Sequence, residues 1–256
     1  MHRFAALALA MLEDNYAGLL PARGDEPWAA GNHGVTRIHE LATAFQWLHD
    51  HHPAGRGARL WRAIELMFAG AVAGGRDWRT FFAAGAFPTR AWPAFADRRF
   101  THGVDVAEGL RWTTALHRVS GARALVAQAH EGVRLVFAHH GAHSGTITAD
   151  EQLAGRSPNR GSELCMAVET MFSMAYLYQF HGTNAFADRA ERVAFNALPA
   201  MMAPDWWAHQ YVALANQPWA INTRRTVFAN VNGYGTTFGL EPNYVGFWAR
   251  SRGVEC

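Results

Sequence analysis

Apolar residues return at helical spacing three times along this chain, each time after the same opening. The three stretches are NHGVTRIHELATAFQWLHDHH from Asn32, THGVDVAEGLRWTTALHRVSG from Thr101 and NRGSELCMAVETMFSMAYLYQFHG from Asn159. Each begins with a polar residue, a basic residue and a glycine. Each then sets a carboxylate near the first turn, where the helix dipole favours negative charge, and runs on as an amphipathic helix. In the third stretch Val168, Met171, Phe172, Ala175 and Tyr176 form the predicted apolar stripe. Each stretch stops at a Gly-containing turn, at 53–57, 120–121 and Gly182, and a second helical stretch follows. The pattern predicts three helical hairpins, with turns placed by glycine as helix C-termini usually require.

Gly34, Gly103 and Gly161 recur at intervals of 69 and 58 residues. One repeat is therefore a hairpin plus a connecting loop, and a helix of about 18 residues spans roughly 27 Å. Such units bury their faces only by stacking on neighbours, in an open solenoid or a closed ring. The connections at 74–100 and 141–160 are long and rich in Gly, Pro and aromatics. Long loops of that kind carry function more often than linkage. If alternate helices form an inner layer, these loops and the polar openings of the inner helices meet at one end, which favours the ring with a pocket. At the N-terminus, Phe4, Leu7, Met11, Leu12, Tyr16 and Leu19 share one helical face, and no small-residue cleavage site follows. An amphipathic helix is expected there rather than a secretory signal. Beyond Pro199 the segments HQYVALANQ, TRRTVFANV and GYGTTFGLEPNY read as short strand-like excursions. The expected class is thus all-α, an αα-hairpin toroid with short β excursions near the C-terminus.

Composition changes this picture little. Half the chain is hydrophobic and the net charge is +2, which suits a globular core and gives no strong field for nucleic acid or an anionic membrane surface. No apolar run has the length to span a bilayer, so a cytoplasmic location is expected. All 23 basic residues are arginine. Two cysteines, Cys165 and Cys256, make no disulfide framework.

Several residues could carry chemistry. Glu163 and Cys165, two apart, could share a metal only where the backbone is still extended, because on a helix they diverge by about 200°. A zinc site wants about four ligands, so this pair alone falls short. From spacing alone the plainer reading is a glutamate at a helix N-terminus beside a buried cysteine. Glu151, in TITADEQLAG, sits on the loop leading into that helix and could act as a general acid or simply be solvated. His33 and His102 each precede the glycine that opens an inner helix; they could hydrogen-bond a ligand or cap the helix. His139, His140 and His143 form a cluster with no carboxylate or thiol at a convincing metal spacing. The aromatics Trp206, Trp207, Tyr211, Trp219 and Tyr234 suit the apolar face of a sugar ring or a packed core equally well.

The segments THGVDVAEGLRW, TITADE, GSELCMAVETMFSMAYLYQFHGTNAFADRAERVAFNALPA, PDWWAHQYVALANQ and GLEPNY, in this order and spacing, resemble glycoside hydrolase family 127. The resemblance is clearest over 102–244. It implies an αα-barrel catalytic domain of six hairpins that removes β-L-arabinofuranose from non-reducing ends with retention. It also implies zinc on one Glu and three Cys, one of them the nucleophile, with a second Glu as acid/base. Carried across, Glu163 matches the zinc glutamate and Cys165 the first zinc cysteine. Glu151 matches the acid/base, and His102, Glu191 and Tyr211 match residues that hydrogen-bond the sugar. The family's Cys-Cys pair, expected shortly after GLEPNY, has no counterpart in VGFWARSRGVEC. The expectation is one partial catalytic domain over 1–256 with an atypical tail at 245–256, an arabinofuranoside-type ligand and impaired catalysis. Two alternatives are a non-catalytic carbohydrate-binding remnant and a helical-repeat scaffold for a protein partner.

Overall fold

The structure is a computed structural model that describes residues 1–20, 33–91, 102–156, 160–202, 204–206, 208–210, 212–213 and 248–250. The chain divides into two compact units: Met1–Ala86 with Glu108–Gly132, and Phe87–Ala107 with Val133–Cys256.

The first unit holds α1 (His2–Glu13), α2 (His33–Thr36), α3 (Ile38–His51), α4 (Gly57–Ala73), α5 (Trp78–Phe81) and α7 (Trp112–Ser120). The stretch from Asn32 was expected to be one helix, and it breaks at Arg37 into α2 and α3. Helices α3 and α4 are the first predicted hairpin. Phe45, Leu60, Ile64, Trp78 and Trp112 are sealed from solvent at its centre. Gly70 of α4 lets the chain after α1 come close: a Cβ there would lie 2.6 Å from a Leu19 methyl and 2.9 Å from the Tyr16 ring. The indole N–H of Trp78 donates to the Thr36 carbonyl at 2.9 Å, so this fully buried ring keeps its hydrogen bond. The predicted face of α1 is corrected. Ala5 and Leu12 are buried, while Phe4, Leu7 and Met11 are exposed, because α4 takes the small-residue side of the helix.

The second hairpin's opening helix, α6 (Gly103–Gly109), stops before α7. Leu110 and Arg111 form the break, and both side chains are fully buried. Its return helix is α8 (Ala124–His140).

The second unit is built on α9 (Leu164–His181) and α10 (Asn184–Arg192), which runs through a π-helical turn, Val193–Ala197, into α11 (Leu198–Met201). Leu164, Ala167, Val193, Ala197 and Met201 form its core. The buried face of α9 is rotated from the predicted stripe. Phe172 is half exposed, while Thr170, Ser173 and Met174 are buried. Ser173 Oγ donates to the Ala107 carbonyl at 2.6 Å, so part of the buried face is polar and invisible to apolar periodicity. Two short antiparallel pairs complete the described residues: β1 (Ser162–Glu163) with β3 (Val212–Ala213), and β2 (Ala208–Gln210) with β4 (Trp248–Arg250). The strand-like reading of HQYVALANQ is seen in β2 and β3. The segments TRRTVFANV and GYGTTFGLEPNY lie outside the described residues. No helix among the described residues is long and apolar enough to cross a membrane.

Candidate active site

Three separated pieces of the second unit are laced together by backbone hydrogen bonds. Gly103 N–H donates to the Glu151 carbonyl at 2.8 Å, and Glu163 N–H donates to the Ala149 carbonyl at 2.9 Å. Ser162 Oγ donates to the Ile147 carbonyl at 2.7 Å. The start of α6, the loop after α8 and the start of α9 are therefore tied to one another. The glycine in the THG opening has a steric reason: a Cβ on Gly103 would lie 2.3 Å from the Ala149 Cβ and 2.9 Å from the Met166 sulfur.

This lacing gathers His102, Glu151 and Glu163, each offering a ligand atom within 4.8 Å of the others. All three were singled out from the sequence. His102 Nε2 lies 3.3 Å from Glu151 Oε2, and its Nδ1 lies 3.5 Å from Asp105 Oδ1. Burial works against a charged His102. Hydrogen bonds to Asp105 and Glu151 and the nearby Glu163 charge override it and raise the pKa to about 10. At neutral pH His102 is an imidazolium held between carboxylates. Asp105, fully buried, was missed in the sequence; the signal was its i, i+3 spacing from His102 on the first turn of α6.

Glu151 sits at φ +104°, in the left-handed half of backbone space that a residue with a Cβ rarely adopts. Strain of this kind collects where geometry serves function. Its neighbour Asp150 is pushed up to about 6 by burial, against an ion pair with Arg160. Glu163 is the N-cap of α9 and its backbone is extended, φ −69° and ψ 148°, while Cys165 lies in the first helical turn. The backbone thus changes between the two residues, as sharing a metal would require.

By donor type the two carboxylates fit a divalent cation, and His102 would join them only on giving up its ring proton. The set differs from the expected Glu-plus-thiolate set: Cys165 is a buried thiol outside this group. Glu191 is exposed on α10 and is also outside the group. Tyr211 and Cys256 lie outside the described residues, as do Trp207, Trp219 and Tyr234; Trp206 is exposed. His140 is structural. Its Nε2 donates to the Pro88 carbonyl at 2.6 Å and its Nδ1 accepts from Gly155 N–H at 2.9 Å. Burial pulls its pKa down to about 4, so the ring is neutral.

No protein-family model matches the chain, and no curated protein does. Solved structures do. A GH127 β-L-arabinofuranosidase from Geobacillus stearothermophilus T6 superposes with a TM-score of 0.53 at 14% identity, over 82% of this chain and 34% of that one. A second structure, a glycoside hydrolase, gives a TM-score of 0.52 at 11% identity, over 91% of this chain and 41% of the other. The fold is glycoside-hydrolase-like. It belongs to the all-α, toroid-type class expected from the sequence. The chain spans between a third and about two-fifths of the length of these two proteins.

Proposed function

We propose that this chain is a glycosidase-type domain that takes the non-reducing-end sugar of a β-L-arabinofuranoside at the His102–Glu151–Glu163 cluster. The observation that supports this is the convergence of three residues from three distant segments on one partly open spot beside a strained loop. The parent reaction in this reading is hydrolysis with retention. His102, held between Asp105 and Glu151, orients the Glu151 carboxyl group beside the bound sugar. Glu151, one-fifth exposed and accepting from His102, is the carboxyl group able to exchange a proton with the glycosidic oxygen. Glu163 would hold zinc, with Cys165 as the neighbouring thiol. Zinc bound there would favour the thiolate. Within these 256 residues the only cysteines are Cys165 and Cys256. The thiolate set of the parent chemistry is therefore incomplete, and the chain binds the sugar without cleaving it.

The experiment is titration of the 256-residue chain with 4-nitrophenyl β-L-arabinofuranoside, following heat of binding and nitrophenolate release together. Binding without release above the buffer rate is expected, and Glu151→Gln should weaken it about tenfold. Turnover would overturn the non-catalytic part of the reading. Absence of binding at millimolar ligand would overturn the sugar site itself.

A further inference from the structure

A second cavity lies wholly within the second unit, of about 980 Å³, between α8, the loop that follows it and the α10 side of the domain. That volume is far beyond one small anion and suits a ligand of several rings. Five arginines line it: Arg134, Arg156, Arg160, Arg189 and Arg192, with no aspartate or glutamate among the described lining residues. Arg160 is paired with buried Asp150. The described partners of Arg156, Arg189 and Arg192 are neutral. Arg156 donates to the Phe137 carbonyl at 3.2 Å and Arg192 to the His143 carbonyl at 2.9 Å. The Arg189 guanidinium rests 4.0 Å from the centre of the Phe137 ring.

These three side chains are set in place by the fold. A π-helical turn begins immediately after Arg192, and π turns recur at functional sites. Gly145, at φ +108°, leaves room for the Arg192 stem, since a Cβ there would come within 2.7 Å of Arg192 Cγ. Burial and the adjacent Arg192 both push the Arg189 pKa down, the sign of two cations crowded together. Thr146 also lines the cavity, and its buried Oγ1 has no hydrogen-bond partner among the described residues. Ser144, Thr148 and Asn196 add groups that pair with hydroxyls. Adjacent strand residues separate the two sites: Ser162 lines this cavity, while Glu163 belongs to the cluster.

We infer that this cavity is a second binding site, for an oligosaccharide carrying carboxylates, gripped by Arg156, Arg189 and Arg192. Guanidinium matches carboxylate in two-point geometry, and three separated forks select a ligand with its charges spread along a chain. The anionic half of the inference stands on the arginines alone; the saccharide half rests on the carbohydrate reading above.

The test is calorimetry of the 256-residue chain at low ionic strength with three probes: tetragalacturonate, its fully methyl-esterified form, and inorganic phosphate. Tetragalacturonate should bind at least ten times more tightly than either of the others, and its affinity should fall as salt is raised. Arg189→Ala with Arg192→Ala should cost tenfold or more, and Arg156→Ala severalfold. Exposed Arg56 and Arg59, replaced together by alanine as a charge-matched control, should leave affinity within twofold. If the double variant does not fold, Arg189→Lys with Arg192→Lys, which keeps charge but not the fork, should still lose affinity. An ester that binds as well as the acid overturns the inference, as does phosphate that matches it. Equal loss in the Arg56/Arg59 control also overturns it, by reducing the effect to general basicity. Failure of tetragalacturonate to bind while the arabinofuranoside does sinks this site alone. The reverse result sinks the arabinofuranoside reading and leaves this one standing.

Discussion

Each unit contains a cluster of one histidine and two glutamates: His39, Glu40 and Glu108 in the first, His102, Glu151 and Glu163 in the second. The residue types are the same, but the setting differs. In the first cluster the carboxylates meet arginines: Arg37 Nε lies 3.2 Å from Glu108 Oε2, and fully buried Arg111 pairs with Glu40. His39 and Glu40 lie on regular turns of α3. In the second, a histidine bridges Glu151 and Asp105, and the three residues sit on a helix start, a helix N-cap and a loop at positive φ. Arginine holds its charge permanently, so the first arrangement is a knot that fixes the chain. In the second cluster the charge sits on a histidine shared between carboxylates, and a loop at positive φ carries one of its partners. Composition alone does not distinguish a structural cluster from a working one. The two settings differ in their arginine partners and in the backbone beneath them, which is why only the second is proposed as a binding site.

The comparison breaks most sharply at Arg111. Arg111→Met should cost about 3 kcal/mol, because it removes a fully buried guanidinium from its pair with Glu40, whose carboxylate keeps part of its solvent access, as denaturant unfolding would record. A loss below about 1 kcal/mol would mean that the arginine knot does not hold the first unit. The next effect comes from His140, the neutral buried histidine. Its folded pKa, about 4, lies below the ordinary 6.5, so the unfolded chain takes up the proton first. The stability it contributes is complete above pH 6.5 and is lost as pH falls from 6.5 towards 4, on the order of 3 kcal/mol. Unfolding curves across that range should flatten when His140 is replaced by Gln. Gly103→Ala should cost about 1–3 kcal/mol by driving a methyl into Ala149 and Met166, and it should also weaken sugar binding. Unchanged binding in that variant would separate the lacing from the site. The smallest effect runs the other way. Glu151→Gly should raise stability by about 1 kcal/mol by relieving the positive φ, at the expense of binding. A loss of stability there would show that the loop is not strained.

Much of this organisation was legible in the sequence because helical hairpins write themselves twice, in apolar spacing and in the glycine turns. The turns at Gly121 and Gly182 are left-handed, φ +67° and +64°, as glycine at those positions implied. His102, Glu151 and Glu163 were each singled out from the sequence, while their meeting within 4.8 Å is a finding of the structure. Other features left weaker traces. The breaks at Arg37 and at 110–111 interrupt continuous apolar patterns, and they arise from tertiary packing: Gly109 sits so tightly on Trp78 that a Cβ would lie 2.7 Å from its ring. The arginine cavity draws on three separate segments, and only the i, i+3 pair Arg189 and Arg192 hinted at a shared face. The buried polar face of α9 was hidden because Thr170 and Ser173 interrupt an apolar count.

Ligand binding at the second cluster and not at the first is what would separate the two proposed roles. The direct measurement is Glu163→Gln, titrated with 4-nitrophenyl β-L-arabinofuranoside and unfolded in denaturant in parallel. At least a tenfold loss of affinity is expected in a chain that still unfolds cooperatively, with some loss of stability because Glu163 is buried beside His102. Unchanged affinity in a folded Glu163→Gln chain would contradict this and make both clusters scaffold.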